Sequence, residues 1–432
     1  MTRGWFSCIM ATLRSVVMQL RPHQQRALDA MDIADKGQII VPTGGGKTVI
    51  MMQHCLRHLR ESSQSQTVVI VAPRILLSNQ LYDEFWSTLN GKVSAQVMHV
   101  HSGEVVGFST TKIQQIQCHD AVCKTAGVNQ LIFTTYNSLN KIVDAGIDVD
   151  IMYCDEAHNA VQSNFFVSVA AMSLSAKYSY FFTATRRVSS RHDRGMNNRL
   201  VFGDIIENVP APELINNGSI LPPSLIPYKT DIVRTKTTAA MIDSNTVQDI
   251  LERLDEDHAA KILVAAPNTR VLWNMLSQTD LIASLELRGY NVLHITSKHG
   301  AYVNRTKVGR EEFFNTLSSW GKDASKKFVV FHYSILSEGI NVPGLTHTIL
   351  LRNLSVIEMA QTIGRVIRVD KQDAQDIADG VLTPGVCQFY RKPCGYVTVP
   401  VHSNYGDKTI KRLQGLMDMI FVDGKPVESI VR

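Results

Sequence analysis

Short apolar runs, rich in β-branched residues, recur along the chain and limit its possible folds more than any other feature. They are "QIIVP" (38–42), "TVVIVAP" (67–73), "QLIFTTY" (130–136), "VDIMYCDE" (149–156), "YSYFFTAT" (178–185), "KILVAAP" (261–267), "YNVLHIT" (290–296), "KFVVFHY" (327–333) and "HTILLRN" (347–353). Strands buried on both faces of a parallel sheet have this composition, and helical patterns separate the runs. The sequence therefore predicts an α/β fold with parallel sheets.

The spacing of these runs predicts two domains. The 432-residue chain is long enough for two or three buried cores. A segment rich in proline, asparagine and glycine, "PAPELINNGSILPPSLIP" (210–227), separates an earlier group of runs from a later one. We therefore predict a tail over residues 1–19, a first domain over 20–220 and a second over 221–432. Open parallel sheets bind ligands beyond the carboxyl ends of their strands, which predicts a ligand cleft between the domains.

The composition is that of an ordinary globular protein. A net charge of +5 and a pI near 8.7 allow a polyanionic partner, although a mildly basic solvated surface has the same values. Seven scattered cysteines without a CxxC pair favour free thiols in a reducing compartment over a zinc cluster. No apolar run approaches the ~20 residues of a membrane helix, and Arg14 interrupts the apolar N-terminal stretch. We expect an intracellular, cytoplasmic protein with no membrane partner.

The stretch "VPTGGGKTVIMMQ" (41–53) follows a predicted strand and opens a helical pattern. Its three glycines allow the backbone to curl so that N–H groups point inward at phosphate. Lys47 is then placed to reach the β- and γ-phosphates of a nucleotide, and Thr48 to bind Mg²⁺. Val41 replaces the glycine or alanine that opens most phosphate loops. A glycine turn without a ligand is the alternative, and the order of strand, turn, Gly-Lys-Thr and helix counts against it.

Two adjacent acids, Asp155 and Glu156, end the apolar run in "MYCDEAHNA" (152–160). Neighbouring carboxylates repel each other, so the pair calls for a cation. Mg²⁺ bound to ATP would supply that charge, with Asp155 holding the metal through water and Glu156 activating the water that attacks the γ-phosphate. An ordinary strand-to-turn exit is the alternative, and the upstream Gly-Lys-Thr motif favours the catalytic interpretation.

These motifs together resemble the DEAH-type helicases of superfamily 2. "PTGGGKT" (42–48) and "DEAH" (155–158) resemble motifs I and II; the others, in order, are "LRPHQQRALDAM" (20–31) for the Q motif, "APRILLSNQ" (72–80) for motif Ia, "FTTYNSL" (133–139) for the segment after it, "TAT" (183–185) for motif III, "SEGINVPG" (337–344) for motif V and "QTIGRVIR" (361–368) for motif VI. The resemblance covers residues 20 to 370. It implies two tandem RecA-like domains with an ATP site in the cleft between them.

The resemblance also implies roles for individual residues, and the implied cofactors are ATP and Mg²⁺. The nucleotide-binding set is Arg21, Gln24, Thr43, Gly44, Gly45, Gly46, Lys47, Thr48, Gly339 and Asn341; the metal set is Thr48 and Asp155; the sugar–phosphate contacts are Arg74, Ser78, Thr135 and Ser138; and the coupling set, which passes the state of the γ-phosphate to the second domain, is His158, Thr183 and Thr185.

Motif VI carries Gln361, Arg365 and Arg368 at i, i+4 and i+7, which predicts that they share one helix face. Two arginines on one face suit a γ-phosphate across a cleft, where an arginine finger neutralises the charge of the transferring phosphoryl group. Gly364 would permit close approach. A solvated basic helix face is the alternative. Either arginine fits the role of principal finger, and Arg368 is our first choice.

The partner is expected to be DNA. The sequence from "TAT" (183–185) through "FGDIIENVPAPELINNGSILPP" (202–223) resembles the region that joins the domains in type I and III restriction translocases and in compact phage branch-migration helicases. We therefore expect a monomeric, ATP-dependent DNA helicase or translocase that acts on forked or branched duplexes. The alternatives are an RNA helicase of the same fold and an ATP-switched clamp that does not unwind.

Two further regions have less specific sequences. The arginine-rich segment 186–199 lies either on the nucleic-acid path or on a solvated surface, and the sequence favours neither. Residues 380–432 carry aromatic and basic side chains, for which packing of the second domain is favoured over contact with a strand.

Overall fold

A computed structural model describes residues 20–103, 105, 107–191, 193–254, 260–333, 342–403 and 406–431. These residues form two α/β domains built on largely parallel sheets, so the predicted fold class is confirmed. None of the helices in these ranges is both long enough and apolar enough to span a membrane.

The strands are β1 (Lys36–Ile40), β2 (Thr67–Ala72), β3 (Ala95–Val100), β4 (Asn129–Thr135), β5 (Ile151–Cys154), β6 (Tyr178–Thr183), β7 (Thr185–Val188), β8 (Asp204–Asn208), β9 (Pro223–Lys229), β10 (Lys261–Ala265), β11 (Asn291–Thr296), β12 (Gly300–Val303), β13 (Thr306–Val308), β14 (Phe328–His332), β15 (His347–Leu350), β16 (Gly395–Val401) and β17 (Val427–Ile430). Every predicted apolar run overlaps one of them.

The α-helices are α1 (Pro22–Ile33), α2 (Lys47–Glu61), α3 (Ile75–Leu89), α4 (Ile113–Ala126), α5 (Leu139–Ala145), α6 (Ser163–Ser175), α7 (Arg199–Phe202), α8 (Ala211–Asn216), α9 (Ala239–Leu254), α10 (Thr269–Ser277), α11 (Leu281–Leu287), α12 (Arg310–Lys322), α13 (Val356–Val366), α14 (Lys371–Ala378) and α15 (Asp407–Met417). Short 3-10 turns lie at Ala157–Asn159 and Cys387–Phe389, and a π-helical turn lies at Asp418–Val422.

The sheet of the first domain has the strand order β3-β4-β2-β5-β6-β1-β8, and all of its pairings are parallel. All six residues of β2 are buried, which explains why its sequence is an unbroken apolar run. Helices on both faces cover such a sheet. Because β5, β6 and β1 are neighbours, the motifs at their carboxyl ends meet at one edge of the sheet.

The sheet of the second domain has the order β13-β12-β11-β14-β10-β15-β16-β9. Its central pairings are parallel, and the edge strands β12 and β13 are antiparallel. At the opposite edge β9 pairs with β16. The segment 210–227 between the groups of runs is therefore ordered: it forms α8 and enters β9, with Leu214, Ile220 and Leu221 fully buried.

The C-terminal segment returns to the first domain. Strand β17 pairs in parallel with β7, from Val427 opposite Thr185 to Ile430 opposite Val188. An ion pair between Arg186 and Glu428 reinforces this two-stranded sheet. Before that crossing, Tyr390 is buried in the second domain, where its hydroxyl donates to the carbonyl of Thr383, at 3.0 Å. The packing interpretation of this tyrosine is confirmed.

Candidate nucleotide site between the domains

The phosphate-loop motif forms a tight turn between β1 and α2. Gly44 and Gly46 have φ angles of 90° and 86°, a left-handed conformation that glycine adopts without steric cost. Lys47 is the first residue of α2, and its Nζ donates to the carbonyl of Val41, at 3.4 Å. Thr48 follows in the first helical turn. The loop therefore places a helix N-terminus, a lysine and a hydroxyl side by side, as the sequence predicts.

The start of α1 packs against this loop. A Cβ placed on Gly46 would lie 2.5 Å from Nε2 of Gln24, so the amide of this predicted nucleotide-binding residue touches the turn. The backbone N–H of Arg21 donates to Oε1 of Gln24, at 3.0 Å, which orients that amide. Burial lowers the pKa of Arg21.

His23 is a contact to the loop that the sequence analysis missed. Its buried ring places Nε2 2.8 Å from the carbonyl of Gly45, and Nδ1 lies 3.5 Å from the side-chain amide of Asn217. Nε2 therefore carries the proton and donates to the carbonyl, while Nδ1 accepts. Burial lowers the pKa of His23, which favours this neutral form. Its position beside Gln24 is the only hint of this role in the sequence.

Asp155 and Glu156 lie buried at the carboxyl end of β5. Burial first, and the neighbouring Glu156 second, raise the pKa of Asp155, whereas Lys47 opposes that shift. The Tyr136 hydroxyl donates to the carbonyl of Asp155, at 2.8 Å, and fixes the end of the strand. Because burial and repulsion both disfavour the ionised pair, a cation bound here would lower its energy.

Glu156 has a strained backbone. Its φ and ψ angles are 45° and 51°, in the left-handed region that costs a residue with a Cβ about 1–2 kcal/mol. The Asn159 side chain holds this conformation by donating to the Glu156 carbonyl, at 3.1 Å. Strain of this kind persists where the surrounding structure enforces it, often at functional sites.

A hydrogen-bond chain at the end of β6 begins at His158, next to Glu156. The Thr183 hydroxyl donates to the carbonyl of Thr185, at 2.7 Å, so its single proton is already used. Nδ1 of His158, 3.1 Å from that hydroxyl, must therefore carry a proton and donate to it. The same Nδ1 lies 3.5 Å from Oε2 of Glu156. The three residues predicted to couple the site to the second domain thus lie in one network.

Helix α13 of the second domain packs directly on the phosphate loop. Ser355 caps the helix by accepting from the backbone N–H of Glu358, at 3.2 Å, and the Glu358 side chain accepts in return from Ser355. A Cβ on Gly364 would overlap the Cβ of Thr43 and lie 2.8 Å from its Cγ2. Gly364 therefore permits the close approach that the sequence suggests.

The arginines that follow Gly364 face the first domain. Arg365 is only 4% exposed, and burial, then Arg368, lower its pKa to about 9, while the charge of Glu156 opposes the shift. Burial also lowers the pKa of Arg368, whose Cγ lies 3.9 Å from the position of a Cβ on Gly44. Both arginines thus lie across the seam from the phosphate loop and the acids.

The prediction that Arg368 shares a helix face with Gln361 and Arg365 is wrong. Helix α13 ends at Val366, and Arg368 lies beyond it in a bridge with Ile220. Other partners hold the chain just beyond the helix: the N–H of Leu221 donates to the carbonyl of Ile367, at 2.7 Å. Nζ of Lys392 likewise donates to the Arg368 carbonyl, at 2.9 Å. Arg368 therefore reaches the seam from an extended segment.

Two buried donors at the seam have no hydrogen-bond acceptor among the described residues. They are Nε2 of Gln361 and Nε of Arg368. A buried donor left unsatisfied costs about 1–3 kcal/mol. Acceptor oxygens of a phosphate ligand would remove that cost, so the seam fits a nucleotide.

His332 is a second residue that the sequence analysis missed. It is fully buried at the end of β14, and burial first, then Arg365 and Arg352, lower its pKa to about 3. Neither ring nitrogen has a hydrogen-bond partner within the described ranges. The ring is therefore neutral and lies beside the arginine expected to act as a finger. The motif V residues Gly339 and Asn341 lie outside the described residues.

The predicted sugar–phosphate contacts lie at the ends of two neighbouring strands. Ala72 of β2 pairs with Thr135 of β4, so the segments that follow these strands are adjacent. Arg74 and Ser138 are partly exposed there. The side chain of Ser78 is buried, with no partner for its hydroxyl among the described residues, so it does not reach this surface. Thr135 is also buried, and its hydroxyl donates to Ser138, at 3.4 Å.

Two family profiles match the chain. One, described as type III restriction enzyme, res subunit, covers residues 17–188, and the other, described as helicase conserved C-terminal domain, covers residues 244–370. A comparison with curated proteins found no significant match.

Several solved structures share the fold. The ATP-dependent type ISP restriction-modification enzyme LlaBIII, bound to DNA, is 15% identical with a TM-score of 0.67, over 96% of this chain and 31% of that chain. A fragment of a putative HsdR subunit of a type I restriction enzyme from Vibrio vulnificus YJ016 is 16% identical with a TM-score of 0.60, over 95% of this chain and 68% of that chain. Dbp5 of S. cerevisiae, bound to RNA and ADP BeF3, is 15% identical with a TM-score of 0.54, over 95% of this chain and 94% of that chain.

These matches, together with the two sheets, define the class of protein. The chain consists of two tandem RecA-like helicase domains. More particularly, it has the nucleic-acid motor fold of helicase superfamily 2. It spans 31% of the length of LlaBIII, so the structural likeness concerns only that share of the enzyme.

Proposed function

We propose that the protein is a DEAH-type, ATP-dependent DNA helicase or translocase that unwinds or remodels forked or branched DNA. The observation that carries this proposal is the packing of α13 against the phosphate loop, where Gly364 meets Thr43. The domain with the arginines and the domain with Lys47 therefore contribute to one site. We further propose that the protein acts as a cytoplasmic monomer, with its domains meeting at residues 220–221.

The residues at the seam fit a magnesium nucleotide. Lys47 and the loop amides would hold the phosphates, and the Thr48 hydroxyl and the Asp155 carboxylate would supply oxygen ligands to the metal. Magnesium bound with ATP would offset the negative charge of the paired acids and of the phosphates. Gln361 and Arg368 have buried donors that would be satisfied by phosphate oxygens.

Glu156 is the proposed general base. Its carboxylate would orient the attacking water and accept its proton. Nδ1 of His158, which donates to Thr183, lies 3.5 Å from that carboxylate. With a pKa of about 9, Arg365 remains charged at neutral pH. Its guanidinium would stabilise the charge that develops on the phosphoryl oxygens.

Nucleotide binding would be coupled to domain movement through β6. The chain that begins at His158, next to Glu156, and runs to Thr183 ends beside β7, so a change at the γ-phosphate reaches the strand that contacts the C-terminal segment. ATP would favour closure of the domains and hydrolysis would favour opening. Arg74 and Ser138, at the ends of β2 and β4, would grip the backbone of the strand as the domains move.

Substitutions at the seam test the site. We expect Lys47→Ala and Glu156→Gln to abolish ATP turnover, because one removes the phosphate contact and the other the base. Arg365→Ala and Arg368→Ala should slow hydrolysis by roughly 10³-fold while leaving ATP binding nearly intact, as expected of a finger. Normal hydrolysis in the Lys47 or Glu156 variant would overturn the site assignment, and loss of ATP binding in both arginine variants would overturn the finger role.

A panel of nucleic acids tests the partner. ATP hydrolysis should be stimulated more by forked DNA and single-stranded DNA than by RNA of matched length. The likeness to Dbp5 bound to RNA makes an RNA helicase the second candidate, which stronger stimulation by RNA would favour. Strand displacement on a forked substrate separates a helicase from a clamp: stimulated hydrolysis without displacement would contradict unwinding and leave translocation or clamping.

A further inference from the structure

A buried lysine from the C-terminal part of the second domain holds the segment that carries Arg368. Lys392 is only 8% exposed, and it lies beyond residue 370, where the resemblance to the helicase motifs ends. Its Nζ donates to the carbonyl of Arg368, at 2.9 Å, and to the carbonyl of Leu345, at 2.6 Å. One side chain therefore joins two backbone segments that are distant in the sequence.

The two carbonyls belong to the ends of two predicted site segments. Leu345 directly follows the stretch identified with motif V, and Arg368 closes the stretch identified with motif VI. Cγ of Arg368 lies 3.9 Å from the position of a Cβ on Gly44, so this side chain crosses the seam to the phosphate loop. A bond to the Arg368 carbonyl fixes the backbone from which that side chain extends. The position of Lys392 therefore limits where the guanidinium can reach.

Lys392 is itself held by a buried acid at the start of α14. The carboxylate of Asp373, which is fully buried, accepts from the backbone N–H of Lys392, at 3.3 Å, and from that of Arg391, at 3.2 Å. Nη1 of Arg391 donates to the same carboxylate, at 3.2 Å. Because α14 begins shortly after Arg368, these contacts close a ring that runs from Arg368 through α14 and Lys392 back to Arg368.

The connection between the domains holds the same segment from the other side. Ile220 forms an antiparallel bridge with Arg368, and the N–H of Leu221 donates to the carbonyl of Ile367, at 2.7 Å. Lys392 supplies the hold from within the second domain. An apolar side chain of similar length would fill its space without the cost of burying a charge. The two carbonyls that Nζ bonds therefore explain why an amine lies here.

We propose that Lys392 is a positioning residue for ATP hydrolysis, which fixes the Arg368 backbone against the end of motif V so that the guanidinium meets the phosphates. This inference rests on the proposed motor function and on the finger role of Arg368. A group that stabilises developing charge must be in place before the reaction. A displacement of about 1 Å can slow a reaction by roughly 100-fold. Loss of Lys392 therefore acts on the rate of hydrolysis and not on ATP binding.

The test is steady-state ATP hydrolysis by the full chain carrying Lys392→Met, which keeps the length of the side chain and removes its donors. We expect kcat to fall by roughly 10- to 100-fold, with KM for ATP within about twofold of the wild-type value. Lys261→Met is the matched control. Lys261 is 6% exposed, and its Nζ donates to the carbonyls of Gly321, at 2.7 Å, and Asp323, at 2.8 Å, at the end of α12. Lys261→Met should change thermal stability to a similar extent and leave kcat unchanged.

A double variant shows whether the lysine acts through the arginine. Effects of two substitutions that act on one group are not additive. Arg368→Ala combined with Lys392→Met should therefore hydrolyse ATP as slowly as Arg368→Ala alone. If Lys392→Met lowers kcat by the same factor in both backgrounds, or if Lys261→Met lowers kcat as much as Lys392→Met, the role of Lys392 is structural and the inference is overturned.

Asp373→Asn provides a milder variant in case Lys392→Met does not fold. It leaves one acceptor oxygen for the three donors, so it should lower kcat in the same direction, with no added loss in the Arg368→Ala background. A wild-type kcat, or an additive loss, would then overturn the inference. A slow Arg368→Ala variant together with a wild-type kcat in Lys392→Met overturns the inference alone and leaves the motor intact. Wild-type hydrolysis in Arg368→Ala overturns the finger role itself, and this inference with it.

Discussion

Replacing Gly364 with alanine tests most directly whether the two domains share one working site. The new Cβ on α13 would overlap the Cβ of Thr43 and lie 2.8 Å from its Cγ2. The Cβ of a β-branched side chain cannot rotate out of the way, so the helix must move off the phosphate loop. We expect the substitution to separate the domains without unfolding either.

The magnitude follows from the overlap. Overpacking at such a contact costs about 1–3 kcal/mol, which corresponds to roughly a 5- to 150-fold loss of the closed arrangement. Alanine is a better helix former than glycine by about 1 kcal/mol, so α13 itself should not be weakened. ATP turnover should therefore fall by a factor in that range, while the thermal stability of the second domain stays the same or rises.

Steady-state ATP hydrolysis at saturating DNA is the assay, with a fluorophore in each domain to report their separation. Gly415→Ala is the matched control, because Gly415 also lies in a helix, α15, where a Cβ would meet no described atom within 4 Å. Both variants gain helix propensity, and only one creates the clash. If Gly364→Ala hydrolyses ATP as fast as Gly415→Ala, with unchanged domain separation, the shared-site argument is refuted.

Three further predictions concern residues outside the predicted site. His23→Ala should raise KM for ATP about fivefold with little change in kcat, because a buried bond of ~1 kcal/mol to the Gly45 carbonyl is lost; an unchanged KM would contradict this. Burial lowers the pKa of Lys392 to about 7, so from pH 7 towards 10 the unfolded chain holds a proton that the folded chain has released. The free energy of unfolding should therefore rise with pH in that window, by up to ~1.4 kcal/mol per pH unit, and denaturant titrations should show a flatter profile for Lys392→Met. Glu428→Ala should make β17 more accessible to limited proteolysis, because its ion pair with Arg186 is lost; equal cleavage rates would show that the pair does not hold the strand.

The fold was predictable where burial leaves an unambiguous pattern. Residues of β2 and β4 are buried on both faces, so their sequences are continuous apolar runs. The polar strands β8 and β17 have exposed positions and lie next to strands distant in sequence, so nothing local marks them. The pairing of β17 with β7 joins residues more than 200 positions apart. Tertiary contact, and not local propensity, makes these segments strands.

Some residues of the candidate site were likewise predictable from the sequence, and others were not. The phosphate loop and the paired acids were predictable because each follows a strand. The glycines and Lys47 follow β1, and Asp155 follows β5. His23 and His332 were not predictable, because the neighbours of a histidine in the sequence do not show whether its ring will face a ligand. Arg368 was placed on a helix by its spacing alone; the bonds from Leu221 and Lys392 that hold the segment beyond the helix come from distant parts of the chain.

The return of the C-terminal strand gives the two domains a double connection. The chain passes from the first domain to the second after β8 and comes back just before β17, and the two passages touch: a Cβ on Gly424 would lie 3.0 Å from the Cβ of Pro210. Bending at this point moves both connecting segments together. Rotation of one domain about the connection would instead wrap one segment around the other. We therefore expect the two domains to swing about this contact without twisting, so that each cycle of opening and closing follows the same path.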